Sequence, residues 1–349
     1  MLSDRQLQIL ALIIQQYTMD RMPIGSKRLM KEGINASSAT IRNDMSFLED
    51  YGLLQKNHTS SGRIPSLQGF RYYVDHLLEI DMLDHKQLQT IRNSLQGKFS
   101  KISELVQKSA QALSDLTNYI AVVFGLDFKS QILTDFQIMI LNAHQALVVI
   151  ITDGGPVENN VITLPYGIFH KDLNLLTEII HERLLGEKLM NVYGKLRTEF
   201  PMILQKYFTD PQSVIYLLES LWKNVFMEDI YVSGCMNLLD YDFIHTPLEF
   251  KHLYSFFSDS KQVKNLVKKT KKDIDGLGIW IGKELENELF ANMSLLTVNY
   301  DVAEHGSGAL AILGPANMHY SKISSLLYAF KEELANRLAE YYRYLDSAQ

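Results

Sequence analysis

Arg42 and Asn43 are adjacent, and seven residues earlier the chain reads Asn35-Ala36-Ser37-Ser38. A guanidinium fork matches the O6 and N7 edge of guanine, and a carboxamide matches the N6 and N7 edge of adenine. At 100° per residue Ala39, Arg42, Asn43 and Ser46 fall on one side of a helix, while Ile41, Met45 and Leu48 fall on the other. Small residues beside the two readers would let the helix backbone approach a groove floor. Ser37 and Ser38, with Thr40, put hydroxyls and free N–H groups at the helix start, where a phosphate would bind. The chemistry this spacing predicts is reading of duplex DNA, with Ser37, Ser38, Ala39, Thr40, Arg42, Asn43 and Ser46 as its residues.

Such a helix must be held by others. Ser3 followed by Gln6 is a capping-box start, and Leu7, Leu10, Ile14 and Tyr17 recur at helical spacing, predicting a first helix to about Tyr17. Pro23 makes 21–25 a connector, and Ser26 is placed to cap a short second helix closed by Gly33. The reading helix runs from about Ser38 to Asp50. Beyond Gly52, residues 52–58 read as a strand, 59–62 as a turn, and Arg63-Ile64-Pro65-Ser66 as a return strand that Pro65 confines to an edge. Three helices followed by a hairpin make a winged helix-turn-helix. Lys56, His58 and Arg63 would then be wing contacts, with Arg63 in the minor groove. A winged helix that binds only protein would show the same pattern, so residue types alone leave that alternative open.

Charge placement agrees with a one-ended DNA binder. The chain has 349 residues and a net charge of −6, yet residues 1–75 carry nine Lys/Arg against seven Asp/Glu. The remainder is therefore acidic by about −8. One cysteine, Cys235, excludes a disulfide framework and a cysteine zinc site; its apolar setting predicts a buried structural thiol. The ten histidines form no metal-spaced pair, and Asp153-Gly154-Gly155-Pro156 and Gly306-Ser307-Gly308 lack phosphate-loop spacing. The lysines of 261–272 read as a solvated helix face. No leader-like or membrane-length apolar stretch is present, and the expectation is a cytoplasmic protein that is no enzyme and needs no metal or cofactor.

Behind the module, 77–116 is helical with irregular apolar spacing, predicting two or three helices. Strands are predicted at Ile120–Phe124, Phe136–Leu141, Ala146–Thr152, Val157–Leu164, Leu295–Val302 and Ala309–Leu313. Helices are predicted from Lys171 to about Leu185 and from about Tyr320 to Leu345. Residues 191–254 are helical and aromatic; some of these aromatics must form an interface, because so small a segment cannot bury them all. Antiparallel strands with helices on one side make an α+β multidomain chain.

The ordered run Pro23-Ile24-Gly25-Ser26, Ser37-Ser38-Ala39-Thr40-Ile41-Arg42-Asn43-Asp44-Met45, Leu48-Glu49, Gly52-Leu53-Leu54 and His58-Thr59-Ser60-Ser61-Gly62-Arg63-Ile64-Pro65 resembles the heat-inducible transcription repressor family HrcA. Gly69-Phe70-Arg71-Tyr72-Tyr73-Val74-Asp75 is similar to the family's next motif. Asp44, Ser61, Ile64 and Ser66 depart from it mildly, and none disables a proposed contact. The resemblance continues through Asn118–Val123, Ala146–Asn159, Tyr231–Gly234, Ile281–Glu284 and Ile312–Pro315. It implies a winged helix at 1–75, a helical linker at 76–117, a GAF-like antiparallel sheet domain at 118–190 and 260–349, and an inserted dimerising domain at 191–259. It further implies repression of heat-shock (chaperone) operons by a homodimer bound to the CIRCE inverted repeat, with activity modulated by the GroEL chaperonin. A regulator sensing a small molecule in the GAF-like domain is the alternative.

Overall fold

The computed structural model describes residues 2–347 except 57–61, 98, 100–101, 129–130, 154, 227–229 and 270–275. Helix α1 (Asp4–Asp20) starts on the predicted capping box, Gln6 N donating to Ser3 Oγ at 3.3 Å and Gln6 Oε1 accepting from Ser3 N at 2.9 Å. It runs three residues past Tyr17 and ends on Arg21 in the left-handed region, φ 55°. In α2 (Ser26–Lys31) the cap position is Gly25, so Ser26 lies inside the helix and does not cap it as expected. Helix α3 (Ser38–Asp50) has the predicted bounds. Its Ile41, Met45 and Leu48 are buried against Ile9, Leu10 and Ile13 of α1 and Leu29 of α2. Each such burial contributes roughly 1.5–3 kcal/mol. Gly52, at φ +82°, turns the chain into β1 (Leu54–Lys56) and β2 (Arg63–Pro65), an antiparallel pair with Leu54 opposite Pro65 and Lys56 opposite Arg63.

Helix α4 (Leu67–His76) is capped by Ser66, whose hydroxyl accepts from Gly69 N at 2.9 Å. Then come α5 (His85–Ser94), α6 (Ile102–Thr117), β3 (Ile120–Asp127), β4 (Leu133–Asn142), β5 (Gln145–Thr152) and β6 (Gly155–Thr163). Four helices follow: α7 (His170–Leu184), α8 (Leu189–Thr198), α9 (Phe200–Tyr207) and α10 (Pro211–Phe226). The chain closes with β7 (Ile230–Ser233), α11 (Pro247–Phe257), α12 (Ser260–Lys269), β8 (Leu277–Ile281), β9 (Met293–Asp301), β10 (Ser307–Pro315) and α13 (Tyr320–Ser347).

Strands β7-β3-β10-β9-β8 form one antiparallel sheet. Its residues alternate with the two-residue period of a strand. Ala121, Val123, Leu296, Val298, Leu310 and Ile312 pack in the core that also holds α6 and α13. Ile120, Val122, Phe124, Leu295, Ala311 and Leu313 pack with Tyr241, Leu253, Phe256 and Val263, on and around α11 and α12. Helices therefore cover both faces, not one. Both faces of the sheet carry buried apolar side chains.

Further expectations compare with the structure as follows. Residues 76–117, expected as a helical linker, pack on the body: α6 on β3, and α5 and α6 on α13. The strands predicted between 118 and 164 do not share a sheet, because β4-β5-β6 form a separate antiparallel sheet. That sheet has its own core with α7–α10, including Leu133, Phe136, Val148, Ile150, Leu173, Ile180, Leu204 and Trp222. The segment inserted into the larger sheet is thus 128–229 instead of 191–259, and Tyr241 to Phe257 belong to the larger sheet's cover. Alternation marks a residue as strand but carries no information about the strand's distant partner. The exposed Tyr207 and Tyr216 agree with the expected surplus of aromatics in the insertion. Cys235 is half-buried instead of buried. Among the described residues no helix is long and apolar enough to cross a membrane, and no group of His, Cys, Asp and Glu could hold a metal.

Candidate nucleic-acid interface

Ala39, Arg42, Asn43 and Ser46 are all exposed on α3, on the side away from the core, and Thr40 is half-buried at the edge of that face. The seven steps of 1.5 Å from Ala39 to Ser46 make this face about 10 Å long, the length of three stacked base pairs. At the start of α3, Ser37 Oγ accepts from Thr40 N at 3.1 Å and lies 2.9 Å from Thr40 Oγ1. Ser38 Oγ lies 2.8 Å from Ser26 Oγ, and Ser26 Oγ also accepts from Arg42 Nε at 3.4 Å. Lys27 and Lys31 are exposed on α2, whereas Arg28 is committed to Asp20 and Gln16.

The helix is locked by an acid the sequence reading passed over. Asp44, buried on the α1 side, accepts from Arg5 Nε at 2.7 Å and from Gln6 Nε2 at 3.3 Å. Its signal was available: a carboxylate among Ile41, Met45 and Leu48 needs a partner when buried.

The wing differs from expectation. Lys56 is exposed, with Nζ 3.6 Å from Glu49 Oε1. Arg63, expected in a minor groove, has a side chain only 13% exposed. Its Nε and Nη2 both lie 2.8 Å from Glu49 Oε2, and its backbone exchanges two 2.9 Å hydrogen bonds with Ile24. In this arrangement Arg63 joins β2 to α3 and to the connector before α2. His58 lies outside the described residues.

Among the described residues, several contacts fix the module and the segment after it on the body. The Phe70 ring lies 6.1 Å from that of Tyr320. Arg71 Nη1 donates to Ile279 O at 2.8 Å and reaches Glu284 at 3.2 Å. Ser321 Oγ bonds Glu79 O at 2.6 Å and Asp81 at 2.7 Å. Arg21 Nη1 meets Asp242 Oδ2 at 2.8 Å beside a cleft of about 280 Å³, lined by Gln55, Ile64 and Pro65 of the wing side and by His245, Asn292 and Asn317 of the body. Burial raises the Tyr17 hydroxyl above its ordinary pKa, and Asp242 adds to the effect. The hydrophobic core runs without a break from α1–α4 into α5, α6, α13 and the sheet.

A family model described as the HrcA protein C-terminal domain matches residues 103–323. The chain is 44% identical over 345 residues to the heat-inducible transcription repressor HrcA of Enterococcus faecalis, covering 99% of each. It is 46% identical over 347 residues to that of Tetragenococcus halophilus, again covering 99% of each. A crystal structure described as that of a hypothetical protein superimposes with a TM-score of 0.61 at 20% identity, covering 98% of this chain and 99% of that one. That likeness concerns the fold alone.

Proposed function

Because this chain belongs to the family of heat-inducible transcription repressors named HrcA, we propose that it silences heat-shock (chaperone) operons by binding the CIRCE inverted repeat as a homodimer. Repression of this kind works by occupancy of DNA and not by catalysis. The single observation that carries the DNA reading is the exposed face of α3, with Ala39, Arg42, Asn43 and Ser46 presented on a helix whose opposite side is locked into a core. The module is read as a winged helix. Arg42 and Asn43 address base edges, Ser46 and Ala39 allow close approach, and Ser37, Ser38 and Thr40 address the phosphate at the helix start. Lys56 and His58 are assigned to the flanking backbone. Arg63 is assigned to holding the wing against α3.

The five-stranded sheet is read as the GAF-like body, and 128–229 as the inserted dimerising domain. Support for the homodimer comes from the outer face of β4-β5-β6, where Met139, Leu141 and Val161 are exposed beside Leu147 and Val149. An apolar, solvent-facing sheet surface of this kind suits a two-fold partner. Two copies would set two recognition helices on matching half-sites. The GroEL chaperonin is proposed as the modulator, and the cytoplasm as the site of action.

The test is a gel shift on the inverted repeat against a scrambled duplex at fixed salt, since affinities without a salt concentration mean little. Preferential retention of the repeat supports the proposal, and equal retention of both sinks it.

A further inference from the structure

Ser26 is almost fully buried, stands inside α2, and does not cap it. Its hydroxyl instead occupies the space between two residues of α3. One is Ser38, 2.8 Å away, at the helix start; the other is Arg42, whose Nε donates to it at 3.4 Å. A hydroxyl carries one donor and two acceptor lone pairs, and Arg Nε–H can only donate. Ser26 must therefore accept from Arg42; its own proton is then free for Ser38, one of the two directions that the 2.8 Å hydroxyl pair allows and the one taken in the proposal. Ser38 Oγ, accepting that proton, keeps its own O–H to donate outward, where the phosphate would lie.

We propose that Ser26 is a positioning residue that couples the phosphate contact of Ser38 to base reading by Arg42. The inference rests on the proposed reading of DNA by α3. In the proposed direction the chain runs Arg42 Nε–H to Ser26 Oγ–H to Ser38 Oγ–H to phosphate, all donors pointing one way. Hydrogen bonds aligned in this manner polarise one another. A phosphate oxygen accepting from Ser38 strengthens Ser38 as an acceptor from Ser26, and thereby strengthens Ser26 as an acceptor from Arg42. With Nε held, the two terminal nitrogens of Arg42 remain to fork onto a guanine edge. Without Ser26, the side chain of Arg42 is an exposed arm with its full rotamer freedom, and its ordering must be met from the contact itself. Arg42 is exposed and Ser26 is not, so the buried partner on the preceding helix sets the direction of the exposed one.

The experiment measures affinity for the operator and for duplexes with each base pair of one half-site replaced in turn, at fixed salt. The proteins are the full-length wild type, Arg42→Ala, Ser26→Ala and the double variant. Ser26→Cys, close to serine in size but a poor acceptor, serves as a second probe should Ser26→Ala fold badly, and thermal melting is followed for all. The expected result is that Arg42→Ala loses discrimination at one base pair. Ser26→Ala and Ser26→Cys should lose about two- to ten-fold of the discrimination at that same pair, with affinity for scrambled DNA unchanged. In the Arg42→Ala background Ser26→Ala should change nothing further. A Ser26 that serves packing alone would lower melting temperature or weaken all duplexes equally. Wild-type discrimination in both Ser26 variants, a uniform loss, or additive effects in the double variant overturns the coupling while leaving base reading by Arg42 intact. Unchanged discrimination in Arg42→Ala itself overturns both.

Discussion

Replacing Arg63 by alanine separates two roles that its position on the wing would allow. Its guanidinium makes two charged contacts at 2.8 Å to Glu49, with side-chain exposures of 13% and 22%. Hydrogen bonds to charged groups contribute about 1.5–3 kcal/mol in such settings. A buried carboxylate left alone would raise the cost further, but Glu49 keeps Lys56 at 3.6 Å and admits some water. We expect about 2 kcal/mol of lost stability, confined to the attachment of the wing. The readout is amide hydrogen exchange at Ile24 and at position 63, whose mutual backbone bonds close the wing on the connector. A loss of this size speeds exchange at both amides about thirty-fold. Glu49→Ala should do the same, and the double variant should be little worse than either single one, giving a coupling energy of about 1–2 kcal/mol. The reasoning is refuted if Arg63→Ala leaves exchange at Ile24 unchanged while cutting operator affinity tenfold, which would place the guanidinium on DNA and not on Glu49.

Asp44→Ala should weaken the docking of α3 on α1 by about 1–2 kcal/mol, less than for a fully buried pair because Arg5 is 46% exposed and rehydrates; urea unfolding of the full chain gives the value. If the proposed homodimer forms through the outer face of the smaller sheet, Met139→Asp should raise its dissociation constant at least about tenfold with unchanged circular dichroism, measured by sedimentation; an unchanged constant would overturn that assignment of the interface. Burial raises the pKa of the Cys235 thiol, so the reactive thiolate is scarcer than in a free cysteine at the same pH. Alkylation by iodoacetamide near pH 8 should accordingly be slow in the folded chain and fast in urea, and equal rates would contradict this.

Much of the reader was legible because its signals are local. The capping box at Ser3 and Gln6, the period of Ile41, Met45 and Leu48, and the stop at Gly52 each depend on neighbours within a few residues, and each lies where expected. The pairing of Arg63 with Glu49 was not legible because Glu49 sits fourteen residues back, and only the fold turns β2 towards α3. Ser26 was read as a cap for a similar reason: the residue type suits that task, but Gly25 takes the position and frees the hydroxyl for α3. Strand segments such as Ala146–Thr152 were visible through their β-branched runs, yet nothing in the run of 120–163 says that β3 leaves its neighbours to pair with β7 and β10. The insertion boundary was lost with that information.

The pairing of β3 also governs the order in which the chain can mature. Strand β3 is apolar and buried along nearly its whole length, and its long-range partner β10 begins about 180 residues later. At ribosomal speeds of roughly 5–20 residues per second, β10 arrives on the order of ten to forty seconds after β3. During that interval the segment 128–229 can complete its own core, while β3 waits with an unpaired, sticky edge. A protein built this way has its aggregation hazard written into its synthesis. Its steady supply then depends on how well one waiting strand is sheltered.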